Sequence, residues 1–273
     1  MPDDIAAPRQ DAPRPDDGLL VDRQGLAFEV DEGLGARARI GVIVLATDQT
    51  VEHEFRRILD IPGVDFYEAR IYNAPQINHE TLAAMEKEIA PATALVMPGL
   101  RLDVMAYGCT SGAMVIGDDN VRDRIHEIRP GIPVTTPMAG TIAAFRALDA
   151  RRICLVTPYV DAVNRSMRQY ILDQGFEVPV MGSWNIGDDD TVARITPGSI
   201  REAVLDLGRQ EDTDAVFVSC SGMRVAGIVE DLEAAIGKPV TSSNHAMAWH
   251  CLRLAGYEDP VPGFGTLFRT PLA

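Results

Sequence analysis

The chain has 273 residues, 46% of them hydrophobic, and a net charge of −15 from 25 basic and 40 acidic residues. This length and apolar content suffice for one large or two small globular domains. The acidic balance argues against a nucleic-acid partner, because phosphate binding depends on basic side chains.

Several other classes are disfavoured by what the sequence lacks. It has no run of 18 apolar residues and no basic-then-apolar leader, so neither a membrane span nor a signal peptide is expected. Four cysteines in a chain of this length do not make a disulfide framework, and a reduced, cytoplasmic protein is expected. The sequence has no Cys-x-x-Cys, His-x-x-x-His or Gly-x-Gly-x-x-Gly pattern. Neither a metal site nor a dinucleotide cofactor is therefore expected.

Strands alternate with helices along the chain. Residues 1–35 are predicted to be a disordered acidic, proline-rich tail, with a short extended stretch at 19–30. In the first half, 36–150, strands are predicted at 39–46, 64–71, 104–107 and 131–136, and helices at 51–59, 79–89, 121–128 and 139–148. Thr50 is the expected cap of the helix that begins at Val51.

The second half, 151–256, repeats this alternation. Strands are predicted at 153–156, 176–181, 215–219 and 239–241, and helices at 160–174, 199–209, 226–236 and 243–254. Residues 257–273 are assigned to a C-terminal tail, and helix 243–256 has the option of packing back on the first half. The predicted fold is α/β, with two pseudo-symmetric parallel-sheet halves of Rossmann-like, flavodoxin-like type and a site between them.

One local pattern occurs in both halves. The first copy reads Asp103-Val-Met-Ala-Tyr-Gly-Cys109-Thr-Ser-Gly112, and the second reads Thr213-Asp-Ala-Val-Phe-Val-Ser-Cys220-Ser-Gly222. In each copy an apolar strand ends in a cysteine, then hydroxyl residues and glycine. Ligands bind at the carboxyl ends of strands in open α/β sheets, so the two thiols are predicted to flank one site.

These residue types suit proton chemistry or addition chemistry. At a strand-to-helix turn, main-chain N–H groups and a helix N-terminus lower a thiol's pKa. Thr110 and Ser111 after Cys109, and Ser221 and Gly222 after Cys220, can donate to a substrate carboxylate. One thiol then serves as base and the other as acid, or one thiolate adds to a double bond. The alternative is that both cysteines are buried structural residues.

The remaining cysteines and histidines give weaker signals. Cys154 and Cys251 lie in apolar patterns and are predicted to be core residues. His245 is predicted to be a surface or capping residue near a helix start. The acidic run 188–190 is typical of a solvated turn that caps the next helix.

The chain resembles the aspartate/glutamate racemase superfamily, in the branch of maleate cis-trans isomerase and arylmalonate decarboxylase, and within it the ectoine-utilisation proteins. The resemblance spans 40–256 and is carried by the Cys109 motif, by Thr157-Pro-Tyr159 with Asn164 behind it, and by the strand to Cys220. It implies that Cys109 and Cys220 are the catalytic pair and that Tyr159 contacts a substrate carboxylate. The decarboxylases keep only the second thiol, so the pair favours an isomerase or racemase.

Two positions depart from the maleate isomerase pattern. Asp48 and Asp189 stand where those enzymes carry asparagines, and a carboxylate there would repel a dicarboxylate substrate. An amino-acid substrate is therefore expected, with Thr47 and Asp48 completing its pocket. Asp48 has the alternative role of capping the helix near Val51.

The expected function is a cofactor-independent isomerase or racemase acting on a small carboxylic or amino acid in ectoine degradation. Two alternatives stay open: decarboxylation of a malonate through Cys220, and a non-catalytic ligand-binding protein. No metal, membrane or nucleic-acid partner is expected, and a homo-oligomer is one option for the assembly.

Overall fold

Two four-stranded parallel sheets form the frame of the protein in a computed structural model that describes Val21, residues 23–74 and residues 76–273. The first sheet has the order β2-β1-β3-β4 and the second β6-β5-β7-β8. The strands are β1 (Ala38–Leu45), β2 (Val64–Ile71), β3 (Val104–Tyr107), β4 (Val134–Thr135), β5 (Arg152–Thr157), β6 (Glu177–Ser183), β7 (Ala215–Val218) and β8 (Val240–Ser242). The two sheets have the same strand order, which confirms the predicted fold class of duplicated parallel halves.

Helices connect successive strands, as parallel pairing requires. In the first half these are α1 (Val51–Ile58), α2 (His79–Ala83), α3 (Glu86–Leu95), α4 (Thr110–Ile116), α5 (Asp118–His126) and α6 (Pro137–Ala147). In the second they are α7 (Asp161–Asp173), α8 (Asp189–Arg194), α9 (Pro197–Gly208), α10 (Val229–Ile236) and α11 (Ser243–Leu254). Short 3₁₀ turns occupy Ala226–Ile228 and Leu267–Arg269.

The predicted elements differ from the structure in several places: α4 was not predicted, and the strand predicted at 131–136 is shortened to Val134–Thr135. The single helix predicted at 79–89 is two helices, because a turn at Ala84 and Met85 separates α2 from α3 and buries Met85. The helix predicted at 226–236 begins as a 3₁₀ turn. The stretch predicted as extended at 19–30 forms no strand in its described residues, and residues 1–20 and 22 of the tail predicted at 1–35 lie outside them.

Aromatic packing and hydrogen bonds join the two halves. Phe145 of α6 packs edge-on against Phe176 and Phe217 of the second half, with ring centroids 5.2 and 5.8 Å apart. Tyr170 of α7 donates a hydrogen bond of 2.9 Å to Asp118 of α5. A continuous buried cluster therefore runs from one sheet to the other.

The last helix lies against the first half, although it follows the last strand of the second sheet. Trp249 and Leu252 of α11 are fully buried in a cluster with Val42 and Phe55. The segment assigned to a C-terminal tail also enters this cluster, where Phe268 is fully buried. No helix among the described residues is both long and apolar enough to cross a membrane.

Candidate functional site

The two cysteines stand at equivalent places in the two sheets. Cys109 comes two residues after β3, and Cys220 comes two residues after β7. Strand order reverses between β1 and β3 and again between β5 and β7. Open α/β sheets bind ligands at the carboxyl ends of strands at such a reversal. Both thiols therefore occupy the position in their sheet that is most favourable for a ligand site.

The Cys109 turn is stabilised by the helix that follows it. Cys109 is the N-cap of α4, with an extended φ of −129°, and its Sγ accepts a hydrogen bond of 3.3 Å from the Gly112 N–H. Ser111 Oγ lies 3.9 Å from the same sulfur. A Cβ atom at Gly112 would lie 2.9 Å from Sγ and 2.7 Å from the Tyr107 hydroxyl, so the turn requires glycine there.

The Cys220 turn has a different backbone. Cys220 has φ +121°, a region that residues with a side chain rarely adopt and that costs about 1–3 kcal/mol. Its N–H donates a 3.0 Å hydrogen bond to Ser243 Oγ at the start of α11. An α-helix does not follow this turn directly, so the prediction of a strand-to-helix turn holds for Cys109 and is wrong for Cys220.

Asp189 links the two halves at the centre of the site. Its Oδ2 accepts hydrogen bonds from Thr47 Oγ1 at 3.0 Å and from Asn73 Nδ2 at 3.4 Å. Asn73 also donates to Thr47 Oγ1 at 2.7 Å. The ends of β1 and β2 are thereby joined to α8 of the second half. Burial raises the pKa of Asp189.

Asp48 caps α1. Its Oδ1 accepts hydrogen bonds from the N–H groups of Thr50 and Val51 at 2.8 and 2.7 Å. Thr50 makes no cap hydrogen bond, and its hydroxyl donates to the Gly222 carbonyl, so the prediction that Thr50 caps α1 is wrong. Burial raises the pKa of Asp48 to about 6, although the cap N–H groups and Arg70 oppose the shift.

Two small cavities of about 20 Å³ each lie beside these residues. Asp189 lines both, together with Cys109 and Ser111 in one and with Thr47, Asp48 and Gly222 in the other. A cavity of this size holds about one water molecule. Chain segments of the two halves meet beside the cavities. Gln76 and Asp188 form an isolated antiparallel β-bridge there, and Gln49 donates a hydrogen bond to Asp190. The site is therefore closed, with Cys109 3% and Cys220 7% exposed.

Three buried hydroxyls have no hydrogen-bond partner among the described residues: Tyr159 Oη, Thr110 Oγ1 and Ser219 Oγ. Tyr159 and Thr110 are 1% exposed, and Ser219 is fully buried. Negative charge on either the Cys109 or the Cys220 sulfur would raise the pKa of Tyr159, so the Tyr159 hydroxyl lies near both thiols. Unpaired buried hydroxyls cost free energy, and a bound carboxylate would supply their missing acceptor.

Burial controls the ionisation of both thiols. It raises the pKa of Cys109 to about 12 and that of Cys220 to about 12, and the charge of Asp189 raises both further. The N–H groups of Gly112 and Gly222 act in the opposite direction but are outweighed. The predicted lowering of the thiol pKa values is therefore wrong for this closed form, in which both sulfurs are protonated at neutral pH.

Other predictions have clear outcomes. Cys154 and Cys251 are fully buried, which confirms them as core residues. His245 is also fully buried, so its prediction as a surface or capping residue is wrong. Its ring lies between Thr241 Oγ1 and the Phe264 carbonyl, and burial lowers its pKa to about 4. Asp188 caps α8 as predicted, by accepting from the Thr191 N–H.

Three polar residues near the site were not singled out from the sequence: Asn73, Glu54 and Asn244. Glu54 had a usable signal, because it falls on the buried stripe of α1 with Val51, Phe55 and Ile58. Asn73 and Asn244 had none, because single asparagines in loops and at helix starts are common. The described residues contain no cluster of three His, Cys, Asp or Glu side chains suited to a metal ion.

Each half of this duplicated α/β fold carries a thiol two residues after the corresponding strand. The family model for arylmalonate decarboxylase matches residues 67–268, and the chain belongs to that family.

Its relatives include enzymes of two activities. The chain is 28% identical over 242 residues to the maleate isomerase of Pseudomonas putida, covering 84% of this chain and 96% of that protein. It is 30% identical over 140 residues to the arylmalonate decarboxylase of Bordetella bronchiseptica, covering 50% of this chain and 58% of that protein.

Solved structures of maleate isomerases also match this chain. The maleate isomerase of Pseudomonas putida S16 superimposes with a TM-score of 0.77 at 27% identity, covering 85% of this chain and 98% of that one. A cysteine-to-serine variant of the Nocardia farcinica maleate cis-trans isomerase, with a covalently bound succinylcysteine intermediate, matches with a TM-score of 0.75 at 27% identity and with the same coverage.

Proposed function

We propose that the protein is a cofactor-independent isomerase or racemase that uses Cys109 and Cys220 on a small carboxylic or amino acid. The observation that carries this proposal is the pair of thiols at equivalent strand ends of two joined sheets, with Asp189 acting electrostatically on both. Two thiols on opposite sides of one carbon can remove and return a proton, or one can add to a double bond while the other transfers the proton.

The free hydroxyls suit a carboxylate. Tyr159 Oη, Thr110 Oγ1 and Ser219 Oγ are buried hydroxyls without a partner among the described residues, and Tyr159 lies close enough to Cys220 to lower the pKa of that thiol. Ser111 lines the cavity with Cys109, and the loop of Ser221 and Gly222 follows the second thiol. A substrate carboxylate that accepts from these groups would place its neighbouring carbon beside the sulfurs. Binding must open the closed site, because each cavity holds about one water molecule.

The charges of the site favour an amino acid over a dicarboxylate. Asp189 lines both cavities and Asp48 lines one, while neither cavity has a lysine or arginine among the described residues that line it. A second substrate carboxylate would meet like charges, whereas an ammonium group would be attracted. Such a group would also reduce the influence of the Asp189 charge on both thiols. This supports the hypothesis of an amino-acid substrate, and ectoine degradation is the role that we propose for it.

Decarboxylation through Cys220 is the second candidate, favoured by the match to the arylmalonate decarboxylase family. One experiment separates the candidates. The protein is incubated in D₂O with maleate, with phenylmalonate and with ectoine-derived amino acids. Exchange or inversion at the α-carbon of an amino acid supports the proposal. Release of CO₂ from phenylmalonate without isomerisation would contradict it.

A further inference from the structure

A charged residue occupies the buried face of α1. Val51, Glu54, Phe55 and Ile58 are the buried residues of this helix, and Glu54 is only 3% exposed. A buried carboxylate is costly unless it is fully hydrogen-bonded. Its retention at a position otherwise suited to an apolar side chain requires strong partners.

Those partners belong to the other half of the molecule. Glu54 Oε1 accepts hydrogen bonds from the N–H groups of Val225 and Ala226, each at 2.7 Å. Oε2 accepts from Asn244 Nδ2 at 2.9 Å, and the same amide nitrogen donates to the Ser221 carbonyl at 2.8 Å. The segment 221–226, called the Cys220 loop below, is thus held by Glu54 directly at two main-chain N–H groups and through Asn244 at one carbonyl.

This loop has less local support than its counterpart. Cys109 begins an α-helix, whereas Cys220 has φ +121° and no α-helix directly after it. Strained backbone persists only where surrounding groups fix it. Two further residues of this region, Thr50 just before α1 and Arg57 within it, also contact the segment that follows Cys220. Thr50 donates to the Gly222 carbonyl, and a Cβ at Gly227 would lie 2.3 Å from Arg57 Nη1.

We propose that Glu54 is a positioning residue that fixes the Cys220 loop from the opposite half of the molecule. A carboxylate suits this role because it accepts at both oxygens. Glutamine would present an N–H₂ group to the N–H₂ group of Asn244, and if Asn244 flipped in response, its donor to Ser221 would be lost. The consequence for catalysis rests on the proposed role of Cys220 as a reacting thiol.

The test compares Glu54→Gln with Glu233→Gln. Glu233 is a matched control, because it also accepts from main-chain N–H groups, those of Val240 and Thr266, but does not contact the Cys220 loop. Alkylation by iodoacetamide is followed separately at Cys220 and Cys109 by peptide mass spectrometry. We expect the ratio of the Cys220 rate to the Cys109 rate to rise about tenfold in Glu54→Gln and less than about twofold in Glu233→Gln.

If Glu54→Gln fails to fold, two further measurements still test the proposal: the Asn244→Ser variant and hydrogen exchange of the unaltered protein. Asn244→Ser should raise the same ratio, because a serine hydroxyl is too short to reach both Glu54 and Ser221. In the unaltered protein, the amides of Val225 and Ala226 should exchange slowly. Rapid exchange there, an unchanged ratio in Glu54→Gln, or an equal rise in both glutamine variants would overturn the positioning role.

Measuring turnover distinguishes the positioning role of Glu54 from the proposed role of Cys220 as a reacting thiol. Glu54→Gln should lower kcat about tenfold or more with little change in KM, because small displacements of a reacting group are costly. A raised alkylation ratio with unchanged kcat would leave the positioning role intact and overturn the proposed role of Cys220.

Discussion

The Cys109 and Cys220 turns have similar sequences and occupy equivalent places, yet they are built differently. Cys109 caps a helix and its sulfur accepts from the third residue after it. Cys220 has a strained φ and relies on Ser243, Asn244 and Glu54 beyond its own turn. Both thiols nevertheless end with the same raised pKa, because both are buried next to Asp189. Similar sequence therefore specifies the place of each thiol, while the other half of the molecule completes one of the two turns.

Titration of the two thiols tests whether their ionisation differs in the free protein. Because burial raises the pKa of each to about 12, alkylation by iodoacetamide should rise about tenfold per pH unit at both, or about a thousandfold from pH 6.5 to 9.5. Free cysteine, with an ordinary pKa, is the control and should level off near the top of this range. A plateau near neutral pH at either residue would show that one thiol is activated in the free protein.

Asp48→Asn tests the role of a charge near the Cys109 turn, because Asp48 raises the pKa of Cys109 and also lines a cavity. We expect kcat/KM for an amino-acid substrate to fall about tenfold through loss of a charge-assisted contact, with some gain for maleate. Stability should change little, because asparagine caps a helix about as well as aspartate.

Asp48→Ala is the matched control, since it removes the cap as well and should cost about 1 kcal/mol of stability. Kinetics of Asp48→Asn that are unchanged on both substrates would leave Asp48 with the capping role alone.

Asp189→Asn should affect both turns alike. Its charge raises the pKa of both thiols, so the neutral variant should alkylate at both residues roughly three- to fivefold faster at pH 8. Asp190→Asn, one residue along on the exposed side of α8, serves as the control and should change neither rate. Acceleration at only one cysteine would contradict the central position of Asp189.

The smallest expected effect concerns the pH dependence of stability. Burial raises the pKa of Glu54 from 4.5 to about 7, with Asp48 adding like charge, so the folded chain binds this proton more tightly than the unfolded chain. The free energy of unfolding should therefore fall as pH rises from about 4.5 to about 7, by roughly 1–3 kcal/mol from this group.

Glu54→Gln should reduce that fall, and Glu233→Gln, which removes a charge of the same sign, should not. Melting temperatures measured between pH 5 and 7.5 test this, with shifts of a few degrees expected. Identical pH profiles for the unaltered protein and Glu54→Gln would contradict the raised pKa.

Much of the frame follows from local sequence. The strands at 64–71 and 104–107 were predicted at their observed bounds, because apolar runs between turn residues are a strong strand signal. The site is less predictable. Thr50 is the more obvious cap from sequence, yet Asp48 caps α1 because Thr50 contacts Gly222 in the other half. The φ of Cys220, the Glu54 contacts and the burial of His245 also depend on the packing of distant segments, which no local pattern records.

The central claim is that Cys109 and Cys220 act together on one substrate. Its most direct test is the turnover of Cys109→Ala, Cys220→Ala and the double variant, on the substrate that shows exchange in D₂O. Each single variant should lose about 10²–10⁴-fold in rate, and the double variant should lose little more, because the two thiols serve one chemical step. Full activity in Cys109→Ala, or independent losses that multiply in the double variant, would contradict the claim.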